Sequence, residues 1–285
     1  MKHPRVMTAL SIGLALLAGL ASLLGIHSKG GPGPWEHISI HGQSVLLYGK
    51  GLYQWMPADV AIQGIAQDYI TLWVAIPLLL IAFWKARKGS TKGAFVFAGV
   101  SGYFFVTYLF YLTMATYSSL FLLHAGLLAL SFFALFLSIS DLLRIPTASC
   151  FPSPRLMKWA GGFLFFNSLM VALLWLSIVV PPLLDGSIYP QELYHFTTLV
   201  VQGLDLSLLL PIAIVIGFLA WRGKESVFPY LTVYLVFLTL LMLALCSKIF
   251  FMAQAGHSVI PVVFIMPTVC VIAGFFSFKI LGKTP

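Results

Sequence analysis

Apolar residues come in long unbroken runs rather than in alternation or in one-sided stripes. The runs cover 6–26, 62–84, 94–115, 119–139, 159–180, 197–221, 227–253 and 258–280. Each approaches or exceeds the ~20 residues that carry a helix across the hydrocarbon core of a bilayer. The pattern therefore predicts an all-α integral membrane protein with eight transmembrane helices and no room for a separate soluble domain. Only Thr116, Tyr117 and Ser118 separate the third and fourth runs, so those two helices are expected to form a tight antiparallel pair. The fifth run is expected to end at Pro181 and Pro182.

One sizeable polar segment interrupts this pattern, at 27–60. GGPGP at 30–34 marks a turn-rich break. The β-branched and aromatic stretch that follows, with glycines at 42, 49 and 51, predicts a short hairpin or a loop lying on the membrane surface. Trp35, Tyr48, Tyr53 and Trp55 suit an interface that is wet on one side and apolar on the other. The first run follows Lys2, His3 and Arg5 and also resembles a secretory signal. Its length of about 20 residues exceeds a usual signal core and favours a retained helix.

Two stretches echo each other. Within 61–89, Asp68 opens an apolar run that Trp84 closes, and Lys85, Arg87 and Lys88 follow. Within 198–226, Asp205 opens the run, Trp221 closes it, and Arg222 and Lys224 follow. Asp205 lies 137 positions after Asp68, Trp221 lies 137 after Trp84, and each run holds one proline, Pro77 or Pro211. This predicts two parallel four-helix repeats, 1–145 (with the loop 27–60) and 146–285, joined through the proline- and serine-rich connector IPTASCFPSP.

Composition agrees with the runs: 60% of residues are hydrophobic and 8% charged, far outside soluble globular usage. The net charge of +8 does not imply nucleic acid, because its basic residues flank the apolar runs. With the N-terminus cytoplasmic, every lysine and arginine except Lys29, Lys50 and Lys248 falls on the cytoplasmic side, which predicts an N-in, C-in topology. Cys150, Cys246 and Cys270 form no C-x-x-C, so neither zinc nor thiol redox chemistry is indicated.

Charged groups inside hydrocarbon cost about 3 kcal/mol each on insertion scales and need a reason. Sixteen residues from Trp84 place Asp68 about 24 Å along the helix, just below the outer edge of the core, and Asp205 at the same depth. Two explanations compete: helix-start residues favoured by the helix dipole, or a paired ligand-binding site. Lys248 is the natural counter-charge, and Tyr111 holds the equivalent place in the first half. His124 opens the fourth run near the same face, and Glu192, His195, Gln254 and His257 are expected to gather there too. The expected ligand-binding set is Asp68, Asp205, Lys248, Tyr111 and His124. His37 and His41 stand at i and i+4 in HISIH and would face one side of a strand, but no further ligands at fixed spacing accompany them, so no metal is expected. No cofactor is expected either: one histidine within a span does not make a haem pair, and Lys248 lies too near a helix end for a retinal-type lysine. Walker, G-x-S-x-G and H-E-x-x-H motifs are absent.

LYGKGLY at 47–53, AQD at 66–68, IPLLLIAFWKARKGS at 76–90 and GYFFVTYLFY at 102–111 resemble a family of uncharacterised bacterial polytopic membrane proteins. QGLD at 202–205 echoes it in the second half. The resemblance implies a prokaryotic inner-membrane protein and carries no activity or site residues. The expected function is binding or translocation of a small solute or ion through an outer-facing polar pocket, with the lipid bilayer as surroundings and no nucleic acid. The alternatives are a membrane enzyme acting on a lipid-linked or apolar substrate at the outer face, and a non-catalytic assembly or immunity-type factor.

Overall fold

The computed structural model describes residues 2–114, 116–145 and 153–284. Eight helices in it are long and apolar enough to cross a membrane, as in a polytopic membrane protein. They are α1 (Pro4–His27), α2 (Ala58–Ile70) continuing into α3 (Ile76–Arg87), α4 (Thr91–Met114), α5 (Phe121–Leu142), α6 (Pro154–Asp185), the short α7 (Val200–Leu204) continuing into α8 (Leu210–Trp221), α9 (Phe228–Gln254) and α10 (Val262–Leu281). The first four spans close on one another around a core that includes Leu14, Leu79, Val100, Phe104 and Leu127. In the second set α6 packs along α8 and α10 along α9, around a core that includes Leu164, Ala220, Leu231 and Leu235. Helices α4 and α9 join the two, and α4 is buried along most of its length. Cys150 and most of the predicted connector lie outside the described residues.

Small residues set how closely the backbones approach, as expected where lipid removes the hydrophobic drive between helices. Gly161 of α6 and Gly217 of α8 face each other. A Cβ on Gly161 would fall 2.6 Å from the Trp221 nitrogen, and one on Gly217 2.6 Å from the Phe165 nitrogen. Gly99 does the same for α4 and α9, where a Cβ would stand 2.5 Å from the Val236 Cβ.

Spans two and six are interrupted by a π-turn, at Thr71–Ala75 and at Asp205–Leu209. Each is followed by a proline in the first turn of the next helix, Pro77 or Pro211. A proline inside a helix lacks its N–H and crowds the carbonyl four residues back, and one wider turn relieves that crowding. The two carboxylates sit differently about these turns: Asp68 lies one turn before its π-turn, and Asp205 is the first residue of its own.

One expectation is corrected, and one of the two competing explanations for the aspartates fails. Span five does not end at Pro181 and Pro182 but runs through both to Asp185. Their fixed φ suits the helix, and the cost is local: the carbonyls of Ser177 and Ile178, about two turns before the helix end, lose their usual N–H donors. At about 48 Å by rise per residue, α6 is far longer than a bilayer core, so one end projects beyond it. Nor do the aspartates start helices. Asp68 lies ten residues, or about 15 Å, beyond the start of α2, and Asp59 occupies the first turn instead. The first turn of α7 holds no acid, and Asp205 follows that helix.

The segment 27–57 does form a hairpin. Strands β1 (Trp35–Ile38) and β2 (Ser44–Leu47) pair antiparallel, with Trp35 opposite Leu47 and Ile38 opposite Ser44. Gly49, at a φ of +70°, passes so close to Gly33 that any Cβ there would strike the Gly33 carbonyl. The hairpin meets the 186–199 connection between α6 and α7, and together they form a cap over one end of the bundle. Gln43 Nε2 donates to the Gln191 carbonyl at 2.9 Å, and His41 stacks on Tyr189 with ring centroids 3.9 Å apart.

Candidate functional site

Asp68 is the most enclosed charged residue in the molecule, 2% exposed. Its surroundings come from four elements. The 3-10 turn that follows the hairpin supplies Tyr53, whose hydroxyl donates to Oδ2 at 2.6 Å. From α4, the Tyr111 hydroxyl stands 3.0 Å from Oδ1 and also 3.0 Å from the Gly64 carbonyl one turn earlier in α2. Helix α1 presents Gly25, and a Cβ there would fall 1.9 Å from Oδ2. On α9, Lys248 lies within electrostatic reach. Burial first, and then the Asp68 carboxylate, hold the Tyr53 phenol well above its ordinary titration range, so it remains a donor.

Below this cradle the polar groups continue. Gln67 Nε2 donates to the Tyr103 hydroxyl at 2.8 Å and to Thr107 Oγ1 at 3.1 Å, and Thr71 Oγ1 lies 2.9 Å from the Tyr103 hydroxyl. Gln67 Oε1 is buried without a hydrogen-bond partner in the structure. Residues 67, 68 and 71 of span two and 103, 107 and 111 of α4 thus form a polar seam about 12 Å long by helical rise.

Asp205 is only partly buried, and a single hydrogen bond fixes it: Trp175 Nε1 donates to Oδ2 at 2.8 Å. Lys248 senses both Asp205 and Asp68, yet among the described residues it makes no ion pair within 4.0 Å and no hydrogen bond. His124, 5% exposed, packs edge-on to Tyr111 and stacks on Tyr108, with centroids 5.5 and 6.1 Å away.

All five expected site residues are therefore linked through shared neighbours. The wider histidine cluster is not. Gln254 is exposed at the last residue of α9 and His257 just beyond it. His195 lies in the cap, its ring 5.8 Å from His37. His37 and His41 part company because β1 ends at Ile38, so His41 sits in the turn and faces Tyr189. Among the described residues no three His, Cys, Asp or Glu side chains converge as metal ligands would. Tyr53, Gln67, Tyr103, Thr107 and Trp175 join the site without having been singled out for it.

Two cavities open at the cap end. One of about 640 Å³ lies within the cap itself, between His41–Ser44 of the hairpin and Tyr189, Gln191, Glu192 and Tyr194. The second, about 540 Å³, is lined by Leu24 and Leu52, the chain neighbours of the Gly25 and Tyr53 that wall Asp68. Tyr194 ties the cap to the bundle by donating to Asp59 Oδ2 at 2.6 Å.

The cap carries its own titration. Burial, and then the neighbouring His37, lower the pKa of His195. A histidine held low in the folded state adds no penalty while both states are neutral. As pH falls below its unfolded value of about 6.5, the unfolded or opened state takes up the proton first, so the closed cap loses stability. Amide protection at 35–47, corrected for the intrinsic pH dependence of exchange, is expected to drop on acidification through that range. In His195→Gln it should stay flat, and an unchanged slope in that variant would assign the effect elsewhere.

No protein-family model, curated protein or solved structure matches the chain, so the family resemblance gains no support from these comparisons.

Proposed function

We propose that this chain is a transporter-type multi-pass membrane protein that binds a small solute or ion at the Asp68–Lys248–Asp205 group beneath the cap. The observation that carries this reading is the placement of Lys248. It stands within reach of carboxylates on two different spans and closes an ion pair within 4.0 Å with neither. Charges kept only to hold helices together gain most from contact, since the cost of removing them from water is offset only at good geometry. Charges held apart leave a place for a third partner. Intramembrane ionisable groups and π-turns both concentrate at functional sites, and here they coincide on spans two and six.

A π-turn followed by a proline and a closing tryptophan in both spans supports the two-repeat reading. The basic residues at the end opposite the cap support an N-in, C-in topology, which makes the cap face external, in a bacterial inner membrane as the resemblance implies. An enzymatic role has less behind it. His124 touches tyrosine rings and hydrogen-bonds to no carboxylate among the described residues, so no acid–base pair is assembled. A purely structural role finds its best support at Asp68, whose two oxygens are both engaged.

The test is thermal stabilisation of the purified full-length protein by a panel of amino acids, organic acids, sugars and alkali cations. At least one class is expected to raise the melting temperature. Asp205→Asn should abolish that rise while melting normally on its own. A panel without effect, or Asp68→Asn and Asp205→Asn variants that merely fail to fold, would favour the structural role.

A further inference from the structure

We infer that Asp68 is a proton-binding site, with Tyr111 as the hydroxyl that switches partners when the proton arrives. The inference deepens the transport reading, since it names the coupling ion of the site proposed above.

The geometry accepts either charge state of the carboxyl group without moving a heavy atom. Tyr111 has one hydroxyl proton and two acceptors at equal distance, Asp68 Oδ1 and the Gly64 carbonyl, each 3.0 Å away. When Asp68 is ionised, Tyr111 donates to Oδ1 and Tyr53 to Oδ2, so both oxygens are satisfied. When hydronium delivers a proton to Oδ1, one O–H bond forms there, one hydronium O–H bond breaks and water leaves, and no covalent bond of the protein breaks. The new carboxyl proton points at the Tyr111 oxygen, and the Tyr111 proton swings to the Gly64 carbonyl. Each polar atom again has a partner, which a buried group requires. A tyrosine placed only to lock an ionised aspartate would not need the second acceptor.

The same geometry suits a proton better than a metal cation. A cation needs several oxygen atoms with lone pairs directed at it. The atoms that face Asp68 are phenolic O–H donors, and Gly25 brings the α1 backbone against Oδ2 with no space between. The other charged or titratable groups around it are Lys248 on α9, and Tyr103 and Tyr108 on α4. His124 on α5 reaches the site through the Tyr108 and Tyr111 rings. Two aspartates and one lysine leave a single negative charge in excess, which one bound proton cancels. The 540 Å³ cavity is lined by Leu24, Leu52 and Gln54, the chain neighbours of Gly25 and Tyr53.

The experiment is infrared difference spectroscopy of the full-length protein in lipid nanodiscs, stepped in pH and in sodium chloride. A carboxylic C=O band from a buried, hydrogen-bonded acid is expected to grow on acidification. It should be unchanged by sodium, absent in Asp68→Asn and retained in Asp205→Asn. Tyr111→Phe should move both its frequency and its midpoint. Should Asp68→Asn fail to fold, the Tyr111→Phe shift carries the test. A band that survives in Asp68→Asn, that ignores Tyr111→Phe, that follows sodium rather than pH, or that never appears would overturn the inference. These results are independent of the ligand panel. A proton band without any ligand effect leaves the proton site standing and removes the solute reading, and ligand stabilisation without a band does the reverse.

Discussion

Lys248→Met is expected to destabilise the protein, by less than the ~3–5 kcal/mol that breaking a closed buried ion pair costs, because the ammonium reaches both carboxylates without contact. The lysine is the cation that Asp68 and Asp205 both sense, and methionine keeps the length of its stem while removing the charge. The two carboxylates should not suffer equally. Asp68 keeps the Tyr53 and Tyr111 hydroxyls, whereas Asp205 keeps only the Trp175 indole. Adding Asp205→Asn to Lys248→Met is therefore expected to restore most of the lost stability, and adding Asp68→Asn to restore little. Lys248→Arg should stay near the parent. Thermal or denaturant melting of these variants, the parent and the single Asp68→Asn and Asp205→Asn variants in one detergent closes the two double-mutant cycles. If Lys248→Met melts like the parent, the ammonium is solvated at the membrane surface and has no part in the site.

This asymmetry explains how much of the site could be read from the chain. The eight spans were legible because apolar runs of about 20 residues have one common meaning. Asp68, Asp205 and Lys248 stood out because charge is scarce in such runs. Gln67, Thr71, Tyr103 and Thr107 did not, since each is unremarkable alone. Their signal was the spacing: 67 and 71, and 103, 107 and 111, fall at i and i+4 and so share a helix face. Trp175 lay in an unbroken apolar run, and only the burial of its N–H gives it a role. The π-turns were not legible: they share the 134-residue offset of Pro77 and Pro211, whereas the echo read from the chain was the 137-residue offset of the aspartates. The pairing of the hairpin with 186–199 had no local signal, because the contacts join segments some 150 positions apart that share no periodicity.

Gly25→Val should be the most damaging single change on α1, and the reason is specific to the site. A Cβ at residue 25 would fall 1.9 Å from Asp68 Oδ2, 2.9 Å from its carboxyl carbon and 3.3 Å from the Tyr53 hydroxyl. The carboxyl group cannot retreat, because Tyr111 holds its other oxygen and Gly64 closes on the Tyr53 ring, with a Cβ there 2.7 Å from Tyr53 Cε1. Either α1 moves away or the Tyr53 bond breaks, and overpacking of this kind costs about 1–3 kcal/mol or more. Gly19, one and a half turns earlier, is the control: its Cβ would make ordinary contact with Ile76 Cδ1 at 3.8 Å. Gly19→Ala should be neutral or stabilising by up to ~1 kcal/mol through helix propensity. Removing the obstacle must relieve the damage if the carboxylate causes it, so Gly25→Val with Asp68→Ala is expected to melt well above Gly25→Val alone. If that second change brings no recovery, Gly25 serves general packing of α1 rather than the carboxylate cradle.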